Sequence, residues 1–255
     1  MIYILGAGPG DPDLISVKGK NLLSCADTLV YAGSLVNPKL LDFCPPHTEI
    51  YDSASLTLEE IIDILDKANQ DPNKVVVRLH TGDPSLYGAI QEQIDELKAR
   101  GHELEVIPGI SSYAAVAARV QQELTLPGVS QTLVISRIEG RTPVPAAQRP
   151  QALAALDASY AFFLSVTMID SLVEQLIEGG LSPDTPALAM YKATWPEERM
   201  VSAPLKDLGA KVKSAGFKAT TMILLGKVLD TDYERSKLYD PSFSHHFRDA
   251  SVGNE

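Results

Sequence analysis

The sequence has few cysteines and no long hydrophobic run, and both absences restrict what the protein is. Its 255 residues contain two cysteines, Cys25 and Cys44, whose separation fits no zinc or redox motif. We therefore expect free thiols in a reducing compartment, and neither a disulfide framework nor a metal site. No apolar run approaches the roughly 18 residues of a membrane-spanning helix, and residues 1–6 lack the features of a signal peptide. These observations predict a cytoplasmic protein without a membrane anchor.

The sequence is also poor in positive charge. It has 22 Lys and Arg residues against 33 Asp and Glu residues, which gives a net charge of −11. Proteins that bind nucleic acids usually carry the opposite balance, so we expect no nucleic-acid partner. A small polyanionic substrate is compatible with this charge where a pocket gathers Arg, Lys or His side chains locally.

What the chain does contain is a regular alternation of strand-like and helix-like segments. Short apolar and β-branched runs predict strands at residues 1–5, 28–32, 74–80, 104–107, 131–137, 161–166, 187–191 and 221–228. Apolar residues at helical spacing predict helices that begin near Asp13, Thr57 and Ser85, and others at 111–120 and 169–177. Thr57 and Glu60 have the spacing of a capping box, and Gly101 is placed to end the helix that starts at Ser85.

This alternation predicts an α/β fold built from two successive α/β domains. The segment Thr125-Leu126-Pro127-Gly128 has the composition of a linker. We therefore predict an N-terminal domain at 1–124 and a C-terminal domain at 125–232. Residues 233–255 are polar and aperiodic, and we expect them to form a loosely attached tail.

The first predicted strand ends in a glycine-rich loop, Gly6-Ala7-Gly8-Pro9-Gly10. Ligands of parallel α/β sheets bind beyond the carboxyl ends of the strands, and glycines let the backbone approach a ligand closely. A dinucleotide-binding loop is disfavoured because the glycine spacing differs, Pro9 has no amide for a phosphate, and the second strand ends without an acidic residue. A tight turn without a ligand is the remaining alternative.

Two further loops follow predicted strands. The run His80-Thr81-Gly82-Asp83-Pro84 places a carboxylate where a ligand amine or hydroxyl would bind, although Asp83 would equally serve as a helix cap. The run Ile107-Pro108-Gly109-Ile110-Ser111-Ser112 contains two serines whose simplest role is also a helix N-cap. No Ser–His–acid or metal-ligand pattern is evident in the sequence.

Together the three loops resemble the tetrapyrrole (corrin/porphyrin) methylase family, which combines a GxGPGD-type loop with a GDPxxYG motif and a downstream PGISS-like motif. The resemblance covers residues 1–230, with Ser16 in place of the usual threonine. Two unusual runs, residues 139–145 (EGRTPVP) and 191–198 (YKATWPEE), resemble one subgroup. That subgroup is the precorrin-4 and cobalt-precorrin-4 C(11)-methyltransferases of cobalamin biosynthesis. On periodicity alone, both runs are ordinary loops.

The resemblance implies a methyltransferase that uses S-adenosylmethionine, with product S-adenosylhomocysteine, in a cleft between the two domains. The family's cofactor-binding positions correspond here to Pro9, Thr81, Gly82, Asp83, Ser111, Ser112, Met168, Ala193 and Thr221. Met168 has an alternative role as a core methionine at the start of a helix.

The resemblance also implies a tetrapyrrole substrate with several carboxylates. We predict substrate contacts from Gly8, Gly10, Arg141 and Lys192. Arg141 is favoured because a guanidinium binds a carboxylate through two parallel hydrogen bonds. Other basic residues at or near predicted strand ends are Arg78, His80, Arg119 and Arg137. Methyl transfer requires alignment rather than an enzymic nucleophile, so no catalytic residue is assigned.

The same resemblance implies a homodimer, and favours the cobalt-bound ring over the metal-free ring as substrate. Within the chemistry, the alternative is another tetrapyrrole C-methyltransferase that acts on uroporphyrinogen III or on a different precorrin carbon. Outside it, the alternatives are a nicotinamide oxidoreductase and a non-catalytic binding module.

Overall fold

A computed structural model describes residues 1–251, and for Lys237 the backbone alone. Residue contacts divide the chain into two compact units. The first comprises Met1–Val116 together with Lys192–Arg199, and the second comprises Ala117–Tyr191 and the residues from Met200 onward. The domain limits predicted from the sequence stay a prediction, and residues 252–255 of the predicted tail lie outside the described residues.

The first unit contains a five-stranded sheet in which every strand pair is parallel. Its strands are β1 (Ile2–Gly6), β2 (Thr28–Tyr31), β3 (Glu49–Asp52), β4 (Val76–His80) and β5 (Leu104–Ile107). The order across the sheet is β3-β2-β4-β1-β5. Strand β1 therefore lies between β4 and β5, and the carboxyl ends of these three strands meet at one edge. This edge is where parallel α/β sheets bind their ligands.

The helices that follow the strands of this sheet are α1 (Val17–Leu23), α2 (Leu58–Ala68), α3 (Gln91–Ala99) and α4 (Ser112–Arg119), and α4 runs past the end of the first unit at Val116. The side chains of the preceding residues cap α1 and α2. The predicted capping box is confirmed, since Thr57 Oγ1 accepts from the Glu60 amide while Glu60 accepts from the Thr57 amide. The predicted start near Asp13 is wrong. Asp11 caps a short 3-10 turn at Pro12–Leu14, and Ser16 caps α1.

The predicted helix start at Ser85 is also wrong, because α3 begins six residues later at Gln91. Tyr87 (φ 56°) and Ala89 (φ 48°) adopt left-handed backbone conformations, which no right-handed helix can contain. The segment before α3 is therefore an irregular loop. The predicted helix end is confirmed, since Gly101 follows the last turn with φ 86°, as glycine does after a helix terminus.

Both faces of the first sheet are buried. On one face, the core gathers Leu5, Leu29 and Leu79 with Leu23 of α1. The core on the other face is formed by Ile2, Val30, Val76, Ile61, Ile62, Leu65 and Leu97. All five residues of β4 are buried, which confirms the strand predicted from its apolar run.

The second unit contains a mixed sheet. Its strands are β6 (Leu133–Arg137), β7 (Ser159–Phe163), β8 (Pro186–Tyr191), β9 (Arg199–Pro204) and β10 (Thr221–Leu225), in the order β6-β7-β10-β8-β9. Strands β6 and β7 are parallel, whereas β10 is antiparallel to both β7 and β8. The predicted strand at 161–166 is shifted, because Leu164 has a left-handed φ of 52° and ends β7 before it.

Three helices pack on this second sheet around a single core. They are α5 (Pro150–Leu153), α6 (Ile169–Glu178) and α7 (Leu205–Ser214). The largest fully buried side chains of this core are Tyr160 and Phe162. The α/β fold class predicted from the sequence is confirmed. Among the residues that the structure describes, no helix has the length and hydrophobicity needed to cross a membrane.

Candidate functional site

Three glycine loops meet at the carboxyl edge of the first sheet. Gly8 and Gly82 form a bridge in which each amide donates to the other's carbonyl, at 3.3 and 2.8 Å. Both glycines have a positive φ, 77° and 58°. A Cβ atom on Gly6 would lie 2.6 Å from Gly109, and one on Gly109 would come closer than 3.0 Å to the Gly82 carbonyl. The loops after β1, β4 and β5 therefore pack backbone against backbone, which requires glycine at each contact.

Asp83 ties the second of these loops to the third. One carboxylate oxygen accepts a hydrogen bond from the Ser85 amide at 2.8 Å and another from the Ser85 hydroxyl. The other oxygen accepts from the Gly109 amide at 3.1 Å. Asp83 does not cap a helix, so that alternative is wrong. Its carboxylate is instead fixed at the sheet edge, half-buried, beside the exposed Thr81.

The third loop leads into α4 through the two predicted serines. Ser111 is buried, and its carbonyl accepts from the amides of Ala114 and Ala115 at 3.1 and 3.2 Å. Ser112 is the first residue of α4. Ser111 therefore occupies the position that precedes the helix, as its sequence context predicted.

The segment Lys192–Arg199 brings further predicted residues to the first loop. The Asp11 amide donates to Thr194 Oγ1 at 3.0 Å, next to the buried Ala193. Lys192 and Thr194 have left-handed φ values of 49° and 70°. For a residue with a side chain, this conformation costs roughly 1–2 kcal/mol, and such strain is concentrated at functional sites.

Two contacts on the first loop were not predicted from the sequence. Trp195 Nε1 donates to the Pro9 carbonyl at 3.0 Å. Asn37 Nδ2 donates to the Gly10 carbonyl at 2.7 Å, while its Oδ1 accepts from the Lys39 amide and caps a 3-10 turn. The Asn-Pro pair at this turn was the only local signal available.

The remaining three predicted residues belong to the second unit. Arg141 is exposed in the loop after β6. In the same loop, a Cβ atom on Gly140 would lie 3.4 Å from Met168 Cε, so Met168 packs directly against this loop. Thr221 is the buried first residue of β10, where it pairs with Tyr191 and donates to the Ala219 carbonyl at 2.8 Å.

The loop that carries Arg141 is held by its neighbours. Arg137 donates to the Thr142 carbonyl at 2.7 Å, and Arg149 pairs with Glu139 at 2.9 Å. Arg137 therefore shapes this loop, and we do not retain it as a substrate contact. Arg141 keeps an exposed guanidinium at the loop's surface.

Two basic residues that the sequence placed near strand ends are buried in the core instead. Arg78 is 5% exposed and donates to Gln93 Oε1 at 3.1 Å and to the Val30 carbonyl at 3.3 Å. Burial lowers its pKa to about 10. Burial and, next, the Arg78 charge lower the pKa of His80 to about 3. Both side chains face α3, so neither is placed to meet a substrate carboxylate.

Sequence comparison identifies the family. Residues 1–209 match the family described as Tetrapyrrole (Corrin/Porphyrin) Methylases. The chain belongs to the tetrapyrrole methylase family. The resemblance seen in the three loops is thereby confirmed.

Curated members of the family are similar over nearly the whole chain. The cobalt-precorrin-4 C(11)-methyltransferase of Methanocaldococcus jannaschii is 53% identical over 97% of this chain and 95% of its own. The enzyme of the same name from Priestia megaterium is 46% identical over 97% of each. The precorrin-4 C(11)-methyltransferase of Mycobacterium tuberculosis is 41% identical over 93% of this chain and 95% of its own.

Solved structures of tetrapyrrole methylases share the fold. A cobalamin biosynthetic enzyme, cobalt precorrin-4 methyltransferase, superposes with a TM-score of 0.87 at 44% identity, covering 90% of this chain and 96% of that chain. Uroporphyrin-III C-methyl transferase from Thermus thermophilus, complexed with S-adenyl homocysteine, has a TM-score of 0.72 at 26% identity, covering 90% and 93%.

Proposed function

We propose that this tetrapyrrole methylase transfers a methyl group from S-adenosylmethionine to carbon 11 of precorrin-4 in cobalamin biosynthesis. The observation that carries the proposal is the 53% identity, over 97% of the chain, to an enzyme named for this reaction. The other tetrapyrrole C-methyltransferases are less favoured, because two enzymes named for uroporphyrin-III or uroporphyrinogen III are 33% and 26% identical to this chain. The nicotinamide and binding-module alternatives have no similar support.

The cobalt-bound ring is the substrate form that we propose. Two relatives named for cobalt-precorrin-4 are 53% and 46% identical to this chain, whereas four relatives named for precorrin-4 are 37–41% identical. The ring nitrogens hold the cobalt, so the protein needs no metal ligands of its own for this choice. A chelated ring is stiffer than a free one, and the pocket can distinguish the two forms by shape.

S-adenosylmethionine is the proposed cofactor, and the residues of the first unit fit it. The Asp83 carboxylate is fixed at the sheet edge by Ser85 and Gly109, where it can accept hydrogen bonds from amine or ribose hydroxyl groups. A similar fold is known with S-adenyl homocysteine bound. We propose the cofactor contacts predicted above, namely Pro9, Thr81, Gly82, Asp83, Ser111, Ser112, Met168, Ala193 and Thr221. For the substrate we propose Gly8, Gly10, Arg141 and Lys192.

The protein contributes to this reaction by aligning the two reactants and by placing charged groups beside the substrate. The bound cofactor supplies the methyl group on a sulfonium. The three loops are held by one another before any ligand binds, so little ordering is left to be lost on binding. Holding two reactants in line can lower a barrier by about 7–11 kcal/mol. The exposed Arg141 guanidinium supplies a paired donor for a substrate carboxylate. We also propose that the enzyme works in the cytoplasm, as its cysteine usage predicts, and as a homodimer, as the family resemblance implies.

Incubation with cobalt-precorrin-4 and methyl-labelled S-adenosylmethionine, without oxygen, tests the proposal. We expect the product mass to increase by one methyl group, and NMR to place the label on carbon 11. A label on another carbon would replace the C(11) assignment by another member of the family. Clearly faster turnover of metal-free precorrin-4 would reverse the choice of cobalt form and leave the carbon assignment unchanged.

A further inference from the structure

The glycine loop after β1 is held in place by a segment that lies far along the chain. We propose that Trp195 is a positioning residue, which fixes this loop in the shape that receives the tetrapyrrole and so contributes to substrate specificity. The inference rests on the proposed function, because it takes the carboxyl edge of the first sheet as the ligand-binding edge.

Trp195 contacts the loop through both its ring and its N–H group. The indole Nε1 donates to the Pro9 carbonyl at 3.0 Å. The ring covers Gly10 so closely that a Cβ atom on Gly10 would come within 3.0 Å of Cδ1, Nε1 and Cγ. Gly10 has no positive φ to explain it. Glycine is therefore required at position 10 because the indole ring leaves no room for a side chain, and not because of the backbone conformation.

The two neighbours of this contact complete a three-point support. The Gly10 carbonyl accepts from the buried Asn37 side chain at 2.7 Å. The Asp11 amide donates to Thr194 Oγ1 at 3.0 Å. Each of the three successive residues Pro9, Gly10 and Asp11 thus has one backbone group fixed by a side chain from outside the loop. The loop cannot change shape without breaking at least one of these bonds.

Trp195 is itself held in position. Lys192 Nζ lies 5.0 Å from the centre of the indole ring, within the range of a cation–π contact. The Thr194 amide donates to a Glu198 carboxylate oxygen at 2.6 Å, and the Trp195 amide donates to the Lys192 carbonyl at 3.0 Å. The segment also retains two left-handed residues, Lys192 and Thr194. A loop that only connected β8 to β9 would not need these left-handed residues and hydrogen bonds.

The contact between Gly10 and Trp195 suggests a double-mutant test. Gly10→Ala forces the indole away, whereas the same change in a Trp195→Ala background adds a methyl group to space that has been vacated. We expect Gly10→Ala alone to raise the KM for cobalt-precorrin-4 by about tenfold or more. In the Trp195→Ala background the same change should raise the KM by a clearly smaller factor, because only the direct contact of Gly10 with the substrate is then disturbed. An equal cost in both backgrounds would refute the coupling.

Cofactor affinity separates positioning from general damage. Among the predicted cofactor contacts, Pro9 is the one bonded to Trp195, and it is bonded through its backbone carbonyl. Gly10→Ala should therefore change the Kd for S-adenosylhomocysteine by no more than about threefold in calorimetry. A fall in cofactor affinity that parallels the rise in KM would indicate a structural effect and overturn the inference. Tyr233→Ala, which removes an exposed aromatic ring, is the matched control and should leave both values unchanged.

Fluorescence separates this inference from the proposed function. Trp195 is the only tryptophan of the chain, so tryptophan emission reports on a ligand that binds near this side chain. We expect cobalt-precorrin-4, which absorbs light strongly, to quench that emission. Quenching that Gly10→Ala weakens, without methyl transfer, would support the positioning role and reject the proposed function. Methyl transfer with a KM that Gly10→Ala leaves unchanged would reject the positioning role and support the proposed function. The absence of both quenching and methyl transfer would reject both.

Discussion

Acidification is expected to destabilise the protein through His80. The imidazole is 6% exposed, and its Nε2 atom is one of the buried polar atoms without a hydrogen-bond partner among the described residues. Burial is the main cause and the Arg78 guanidinium the second cause of a pKa lowered from 6.5 to about 3. His80 is therefore neutral in the folded protein at every pH at which the enzyme is expected to work.

The direction of the effect follows from the two states. The unfolded chain takes up a proton at His80 near pH 6.5, whereas the folded chain takes it up only near pH 3. Stability is therefore complete above pH 6.5 and is lost as the pH falls from there towards 3. The loss is about 1.4 kcal/mol per pH unit within this interval. Between pH 7 and pH 5 it amounts to about 2 kcal/mol of unfolding free energy.

Urea unfolding at pH 7, 6 and 5, followed by circular dichroism, measures this loss. His80→Gln removes the titrating group, so the wild-type protein should lose about 2 kcal/mol more than this variant between pH 7 and 5. A constant difference between the two proteins does not affect the comparison, because only the change with pH is used. His47→Gln, which removes an imidazole from an exposed position, is the matched control. Parallel curves for the wild-type protein and His80→Gln would refute the account of a buried neutral His80.

Three further predictions concern the loops. Asp83→Ala should weaken S-adenosylhomocysteine binding in calorimetry while unfolding stays cooperative, and unchanged affinity would remove Asp83 from the cofactor site. Arg141→Ala should cost about 2–5 kcal/mol in apparent substrate binding if the carboxylate contact is desolvated, with cofactor affinity retained; an unchanged KM would make Arg141 a bystander. Gly109→Ala places a Cβ atom against the Gly82 carbonyl and should lower the unfolding free energy by about 1–3 kcal/mol. Gly140→Ala is the control, because neither glycine has a positive φ and a Cβ atom on Gly140 would meet only the Met168 side chain, with Cε nearest at 3.4 Å.

Local pattern was sufficient for much of the first unit. The apolar run of β4 predicted a strand buried on both faces, and the spacing of Thr57 and Glu60 predicted the cap of α2. Local sequence pattern was insufficient where residues other than glycine adopt left-handed backbone conformations. Nothing in the run from Ser85 to Ala89 indicates that Tyr87 and Ala89 are left-handed, so the start of α3 was predicted too early. Strand β9 was not predicted, because its residues are mostly exposed and carry no apolar run.

The site depended on contacts that no local pattern contains. The family resemblance selected the glycine loops, and the structure brings Gly8, Gly82 and Gly109 together at one edge. Side-chain direction was not predicted. His80 ends β4 and Arg78 lies in the middle of that strand, and both side chains point into the core towards α3. The sequence analysis proposed them as substrate contacts because they are basic. A sequence does not show which face of a buried strand a side chain occupies, so their direction was not predicted.

The discontinuity of the first unit has a consequence for synthesis on the ribosome. Residues 1–116 leave the ribosome well before the Lys192–Arg199 segment that belongs with them. At about 5–20 residues per second, several seconds pass between the two. During this time the loop at Pro9–Asp11 lacks the hydrogen bonds that Thr194 and Trp195 provide. A nascent chain stalled before residue 192 will therefore carry all five strands of the first sheet with an unsupported loop. The carboxyl edge of that sheet will be finished only after much of the second unit has been translated.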